Sequence, residues 1–224
     1  MLGLLTAIVI SWLLLWVTTK EHFSVLGLKP SVRRLKDFIL AMLFAALVCG
    51  IFLWWQSTFQ QLNYQINSDY DIGDFFNGSV WVFRAVLFEE FIFRGALLYL
   101  LIRKVGVVRA CLIDAVAFGI YHWFSYEMFW RIIPMVYVFI LTGVAGWMFA
   151  YSFAKTKSMY APIGLHFGWI FVTIIVFSKG PLGNQWLISS SEPIELGGWA
   201  TLWFFLWQAL VAPVIVTWYL RSRD

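Results

Sequence analysis

Charged residues make up only 12% of this 224-residue chain against 62% hydrophobic ones, and the mean hydropathy is +0.80. One soluble core of this size cannot hide so much apolar surface, which excludes a water-soluble globular domain and makes lipid the main solvent. Cysteine is nearly absent as well. Cys49 and Cys111 both lie inside apolar runs, which excludes a disulfide scaffold or metal knuckle and reads as two small buried hydrophobes. There is no internal repeat, no low-complexity tract and no long polar connector, so the chain is expected to form one membrane domain. The first apolar run, from Leu2, has no basic segment before it and no small-residue cleavage site after it; it is expected to be a retained span rather than a signal peptide. The net charge of +4 does not point to nucleic acid, because the basic residues sit in short connectors rather than along one face.

Aromatic residues, by contrast, are abundant: 22 Phe, 14 Trp and 9 Tyr, many near the ends of apolar runs, where amphipathic rings suit the headgroup region. A bilayer core takes about 20 apolar residues per helix, and runs near that length occupy 2–19, 37–59, 80–102, 107–123, 132–153, 160–177 and 198–220. The expected fold is therefore an all-α polytopic membrane bundle of about seven transmembrane helices. Three stretches compose it: 1–79 with N-terminal helices, 80–177 as helical core, and 178–224 with a connector and the last helix. Connector charge alternates. Twelve of the sixteen basic residues fall on one side, Lys20, Lys29, Arg33, Arg34 and Lys36 among them, whereas Asp69, Asp71 and Asp74 fall on the other together with Arg131 and Lys179. The positive-inside rule then puts the N-terminus outside and the C-terminus in the cytoplasm, in what is expected to be a bacterial cytoplasmic membrane. The connector 20–36 is basic enough to lie on an anionic leaflet, although a plain topogenic loop also accounts for it.

Ionisable residues inside spans cost at least roughly 2.5–3.5 kcal/mol each, so each needs a partner or a function. Span three carries Glu89, Glu90 and Arg94, span four carries His122 and span six carries His166. On a helix, Glu90 and Arg94 are four apart and share a face. Glu89 points about 100° away and is expected to face the bundle interior as a free carboxylate, a candidate general base. His122 and His166 would assist as acid and oxyanion donors or as metal ligands. The plainer alternative makes Glu90–Arg94 a structural ion pair, pairs Glu89 with Arg84 or a histidine, and leaves the histidines to hydrogen-bond between helices. Asp114 is expected to pair with Arg109, and Arg84 to snorkel to the outer interface.

Three ordered segments carry a resemblance. Glu89, Glu90 and Arg94 followed by Gly95 form Glu-Glu-x-x-x-Arg; Phe118 and His122 form Phe-x-x-x-His; His166 opens an incomplete His-x-x-x-Asn whose last position is Ile170. In this order, each in its own span, they resemble the CPBP family, which includes the CAAX prenyl endopeptidase and Abi-type membrane proteins. Leu26-Gly27-Leu28 resembles the connector after the first span of bacterial members. The resemblance implies an intramembrane endopeptidase in which Glu89 with His122 activates water against a peptide carbonyl and His166 stabilises the oxyanion or binds metal, with Glu90 and Arg94 in support. It leaves the cofactor open between a divalent metal such as zinc, held by Glu89, His122 and His166, and none. The expected partners are a peptide or membrane-protein substrate and the lipid bilayer.

Ile170 can neither donate a hydrogen bond nor bind metal, and Thr173, two turns from His166 on the same face, is the nearest substitute. That departure keeps open a non-catalytic scaffold or bacteriocin-immunity protein of the same fold. A small proton-relay transporter is disfavoured by the lack of repeats and of broken helix pairs. Counted from the outer ends at about 1.5 Å per residue, His122 lies too shallow to meet Glu89 and His166; a helix continuing through 125–131 would set it deeper.

Overall fold

The computed structural model describes residues 2–177 and 181–222; Lys179 and Arg223, counted in the charge distribution, lie outside them. The described residues form eight α-helices: α1 (Leu2–Thr19), α2 (Val32–Phe59), α3 (Ile72–Phe93), α4 (Ala96–Val105), α5 (Val107–Ser125), α6 (Ile132–Thr156), α7 (Tyr160–Phe171) and α8 (Gly198–Arg221). α1, α2, α5, α6 and α8 are long and apolar enough to cross a membrane, and Tyr160–Val176 is apolar but shorter. α3 is long enough but carries Asp74, Arg84, Glu89 and Glu90. The outer faces are oily: Leu13, Leu40, Leu47, Leu112, Leu206 and Val214 are all exposed. Apolar surface turned outward on this scale fits lipid as the surrounding solvent, and the protein is an all-α integral membrane bundle.

The expected third span is not one helix. The chain forms α3, breaks at Arg94–Gly95 and restarts as α4. Its restart is capped from another helix, since the Ala96 backbone N–H donates to Ser11 Oγ of α1 at 2.9 Å. A Cβ at Gly95 would collide with that hydroxyl and with the Phe91 carbonyl, so only glycine permits the break. The fourth span also ends where a longer helix was expected to continue: Glu127 and Trp130 take positive φ values of 52° and 70°, and α5 stops at Ser125.

Two glycines set the position of α7. Gly164 and Gly168, one turn apart, lie so close to α2 that an added Cβ would collide with the Phe38 and Met42 carbonyl oxygens, the small-residue approach typical of membrane helices. His166, two residues from each, is turned about 200° away from that contact, toward α3 and α6. Gly168→Ala is expected to force the two helices apart and lower stability by about 1–3 kcal/mol, read as a lower unfolding temperature in detergent.

α7 runs on into a π-helical turn, Val172–Val176. Beyond it, the connectors after α2 and α7 pair as a short antiparallel sheet, β1 (Tyr64–Ile66) with β2 (Leu187–Ser189), a feature no hydrophobic pattern announces. Asn184 fastens it by donating to Asp74 at 2.7 Å, in the capping box that starts α3. At the opposite end Arg103 of α4 pairs with Glu21 at 2.8 Å. Hydrogen bonds from Thr19 and Tyr99 and the Arg103 guanidinium hold that carboxyl below its ordinary range.

Candidate active site

α3, α5, α6 and α7 together bury a charged cluster. At its centre is Arg94, fully buried together with Glu90. Its Nη1 lies 3.4 Å from Glu90 Oε1, its Nε 3.4 Å from Asp114 Oδ2, and its Nη2 donates to the Gly146 carbonyl of α6 at 3.4 Å. These contacts are longer than close charge-assisted hydrogen bonds, and aromatic faces supply part of the compensation. The guanidinium carbon sits 4.2 Å from the Phe118 ring centroid, 5.0 Å from Phe149 and 5.5 Å from Phe93, within cation–π range. Asp114 therefore pairs with Arg94 across helices and not with Arg109, because both Asp114 and Arg94 are buried where α5 meets the end of α3. Arg84 is half-buried on α3, with no ion-pair partner among the described residues.

His166 lies between the two glutamates. Its Nδ1 is 2.8 Å from Glu90 Oε1 and its Nε2 is 3.7 Å from Glu89 Oε2. Its ring stacks on Phe149 at 4.7 Å and 19°, and meets Phe118 edge-on at 6.0 Å. Glu89 Oε2 is buried without a hydrogen-bond partner among the described residues, and 3.7 Å is too long for a direct hydrogen bond. Both facing atoms thus keep capacity for a third group.

His122 enters from α5. Its Nδ1 lies 2.8 Å from the Phe118 carbonyl oxygen; a carbonyl can only accept, so Nδ1 carries the proton, and in the neutral ring Nε2 is an acceptor. The ring packs edge-on against Phe118 at 4.5 Å and Tyr126 at 5.3 Å. His122 and His166 line one cavity of about 270 Å³, with Tyr126, Ile170 and Gln208 in the same wall. No extension of α5 accompanies this convergence. Counted from the shared turn at Gly106, Glu89 is 17 residues back along α3–α4 and His122 is 16 residues on along α5, nearly equal lengths of chain on the two sides of the turn.

Thr173 does not replace the missing asparagine, because its hydroxyl donates to its own helix, to the Ile170 carbonyl at 3.0 Å and the Trp169 carbonyl at 3.3 Å. The residues also do not fit a metal as they stand. Among the described residues, no three His, Cys, Asp or Glu side chains form a set that could hold an ion. Sequence reasoning missed Asp114 as a member of the cluster and Phe118 as the ring shared by Arg94, His122 and His166; the Phe-x-x-x-His spacing was the available signal for Phe118.

Residues 72–172 match the family model described as type II CAAX prenyl endopeptidase Rce1-like. That stretch runs from the start of α3 into the π turn and holds Glu89, Glu90, Arg94, Asp114, His122 and His166. No curated protein and no solved structure matches the chain.

Proposed function

With residues 72–172 belonging to the CAAX-protease (CPBP) family, we propose that the protein is an intramembrane endopeptidase that hydrolyses a peptide bond in a membrane-associated protein or peptide, using Glu89 as general base assisted by His122. The observation that carries this reading is the buried Oε2 of Glu89, without a hydrogen-bond partner among the described residues, beside His166, which itself lines the cavity. A carboxylate so placed takes a proton from water, and the oxygen attacks the scissile carbonyl carbon. The tetrahedral oxyanion then collapses as the proton passes to the departing nitrogen, giving a new carboxyl and a free amine. His166, with Nδ1 facing Glu90, is the group positioned to stabilise the oxyanion when it carries both protons. His122, its Nδ1–H fixed on Phe118, offers Nε2 to accept and return a proton. Glu90, Arg94 and Asp114 hold these groups in place.

No step of this mechanism runs through a metal. Cleavage of a peptide pool by the purified protein in detergent is expected to be indifferent to chelator, and loss of cleavage on chelation with recovery on adding zinc would overturn that part of the reading. His122→Ala is expected to slow turnover by about 100-fold with little change in KM, because it removes proton transfer rather than substrate contact; kcat and KM on one cleaved peptide decide it.

Ile170 favours a second reading, a non-catalytic scaffold or immunity protein of the same fold. It lines the cavity beside His166 without a donor, and the loss of one oxyanion donor costs about 2.7–4 kcal/mol of transition-state stabilisation. A folded wild type that cleaves nothing, and whose cellular effect survives Glu89→Gln, would establish that reading.

A further inference from the structure

A second site lies at the end of the bundle that the charge distribution assigns to the cytoplasm. The first turn of α2 and the last turn of α6 enclose a cavity of about 530 Å³ lined by Arg33, Arg34, Lys155 and Lys157, with Ser31 and Asp37. Among the described residues of its lining, four cations face one carboxylate. The Arg34 guanidinium is braced by the Lys29 carbonyl at 2.6 Å, and the Lys155 nitrogen lies 5.5 Å from the Tyr151 ring centroid. Arg33 and Lys157 are exposed, with no side-chain partner among the described residues.

The basic cup opens into an apolar groove of about 290 Å³ between α2 and α8, floored by α6 and α7. Asp37 and Thr156 line both. Leu40, Phe44, Leu165, Ile215, Val216 and Trp218 are among the groove walls. From Asp37 to Phe44 it descends about 10 Å along α2, and Trp218 stands 69% exposed at its rim, where an indole suits the headgroup level. A cationic cup at the interface that leads down a greasy groove has the two-part chemistry of a phospholipid, an anionic phosphate above an acyl chain.

We propose that the α2–α8 groove binds one anionic phospholipid, with its phosphate among Arg33, Arg34, Lys155 and Lys157 and one acyl chain along Leu40, Phe44 and Ile215. Asp37, at the neck, selects for a headgroup with hydroxyl donors, such as glycerol, over a bare phosphate. The site does not depend on the catalytic reading, although the two cavities share Leu165 as a wall.

The test is retention of phosphatidylglycerol by the full-length protein in native mass spectrometry, against phosphatidylcholine of the same chains and against glycerol 1-phosphate, which has the headgroup without the tail. Phosphatidylglycerol is expected to be retained preferentially. Arg33→Gln with Lys157→Gln should weaken it about 30-fold, from two interfacial cations at about 1 kcal/mol each. Ile215→Trp, which fills the groove and leaves the cations intact, should also weaken it. Equal retention of the two lipids, or glycerol 1-phosphate binding as tightly as the lipid, would overturn the proposal. So would unchanged lipid retention in both variants accompanied by a raised KM for a cleaved peptide, which would make the groove a substrate path.

Discussion

Glu89→Gln is expected to lower peptide cleavage at least about 1000-fold, or about 4 kcal/mol of transition-state stabilisation, without lowering the unfolding temperature. The two halves of this result follow from one geometry. Glutamine keeps the size and polarity of the side chain but cannot take a proton from water. Glu89 Oε2 has no hydrogen-bond partner among the described residues and lies 3.7 Å from His166 Nε2, so removing its charge breaks no hydrogen bond, gives up only a long ion-pair contact and relieves a desolvated carboxylate. A structural role would give the opposite pattern, with lost stability and incidental loss of activity. Glu89→Asp retains the carboxylate but withdraws it by one methylene from His166, and falls between the two.

Arg94→Met should be the most damaging single change to stability, costing about 3–5 kcal/mol, because removing one partner of a buried ion pair leaves charge uncompensated. Arg94 is the cation between Glu90 and Asp114, and its loss leaves both carboxylates, with Glu89 nearby, in a lipid-surrounded core. Arg94→Lys should rescue little. A single ammonium cannot reach Glu90, Asp114 and the Gly146 carbonyl from three directions, and it lacks the flat face that Phe118 and Phe149 cover. Adding Glu90→Gln and Asp114→Asn to Arg94→Met should recover much of the lost stability, since the penalty lies in the unpaired charge. Thermal unfolding in detergent of wild type and the three variants checks this; if Arg94→Met unfolds like wild type, the cluster is not what holds α3 to α5.

Much of the bundle was readable because lipid imposes a simple length rule. The first run ends at Thr19 as expected, and the last exceeds expectation only by Arg221. α3–α4 escaped that rule because its break depends on tertiary contacts: Gly95 is apolar enough to pass as span interior, and the Ser11 cap comes from 85 residues away. The β1–β2 pairing was equally hidden, since Tyr64–Ile66 and Leu187–Ser189 are too short to carry a strand period. At the site, helical spacing gave the Glu90–Arg94 pair, and the motif order brought Glu89, His122 and His166 into view. Asp114 was assigned the nearest basic residue in sequence, whereas its partner lies on another helix. Thr173 shared a helical face with His166, but spacing does not reveal that a hydroxyl is already bonded to its own backbone.

Hydrolysis in heavy-oxygen water tests the central claim most directly. Wild-type protein, reconstituted in lipid with a pool of peptides, should yield products bearing one heavy oxygen in each new C-terminal carboxyl, and Glu89→Gln under the same conditions should yield none. Labelled product formed undiminished by Glu89→Gln would contradict the assignment of the base, and a folded wild type that yields no product from any peptide would move the protein to the non-catalytic reading.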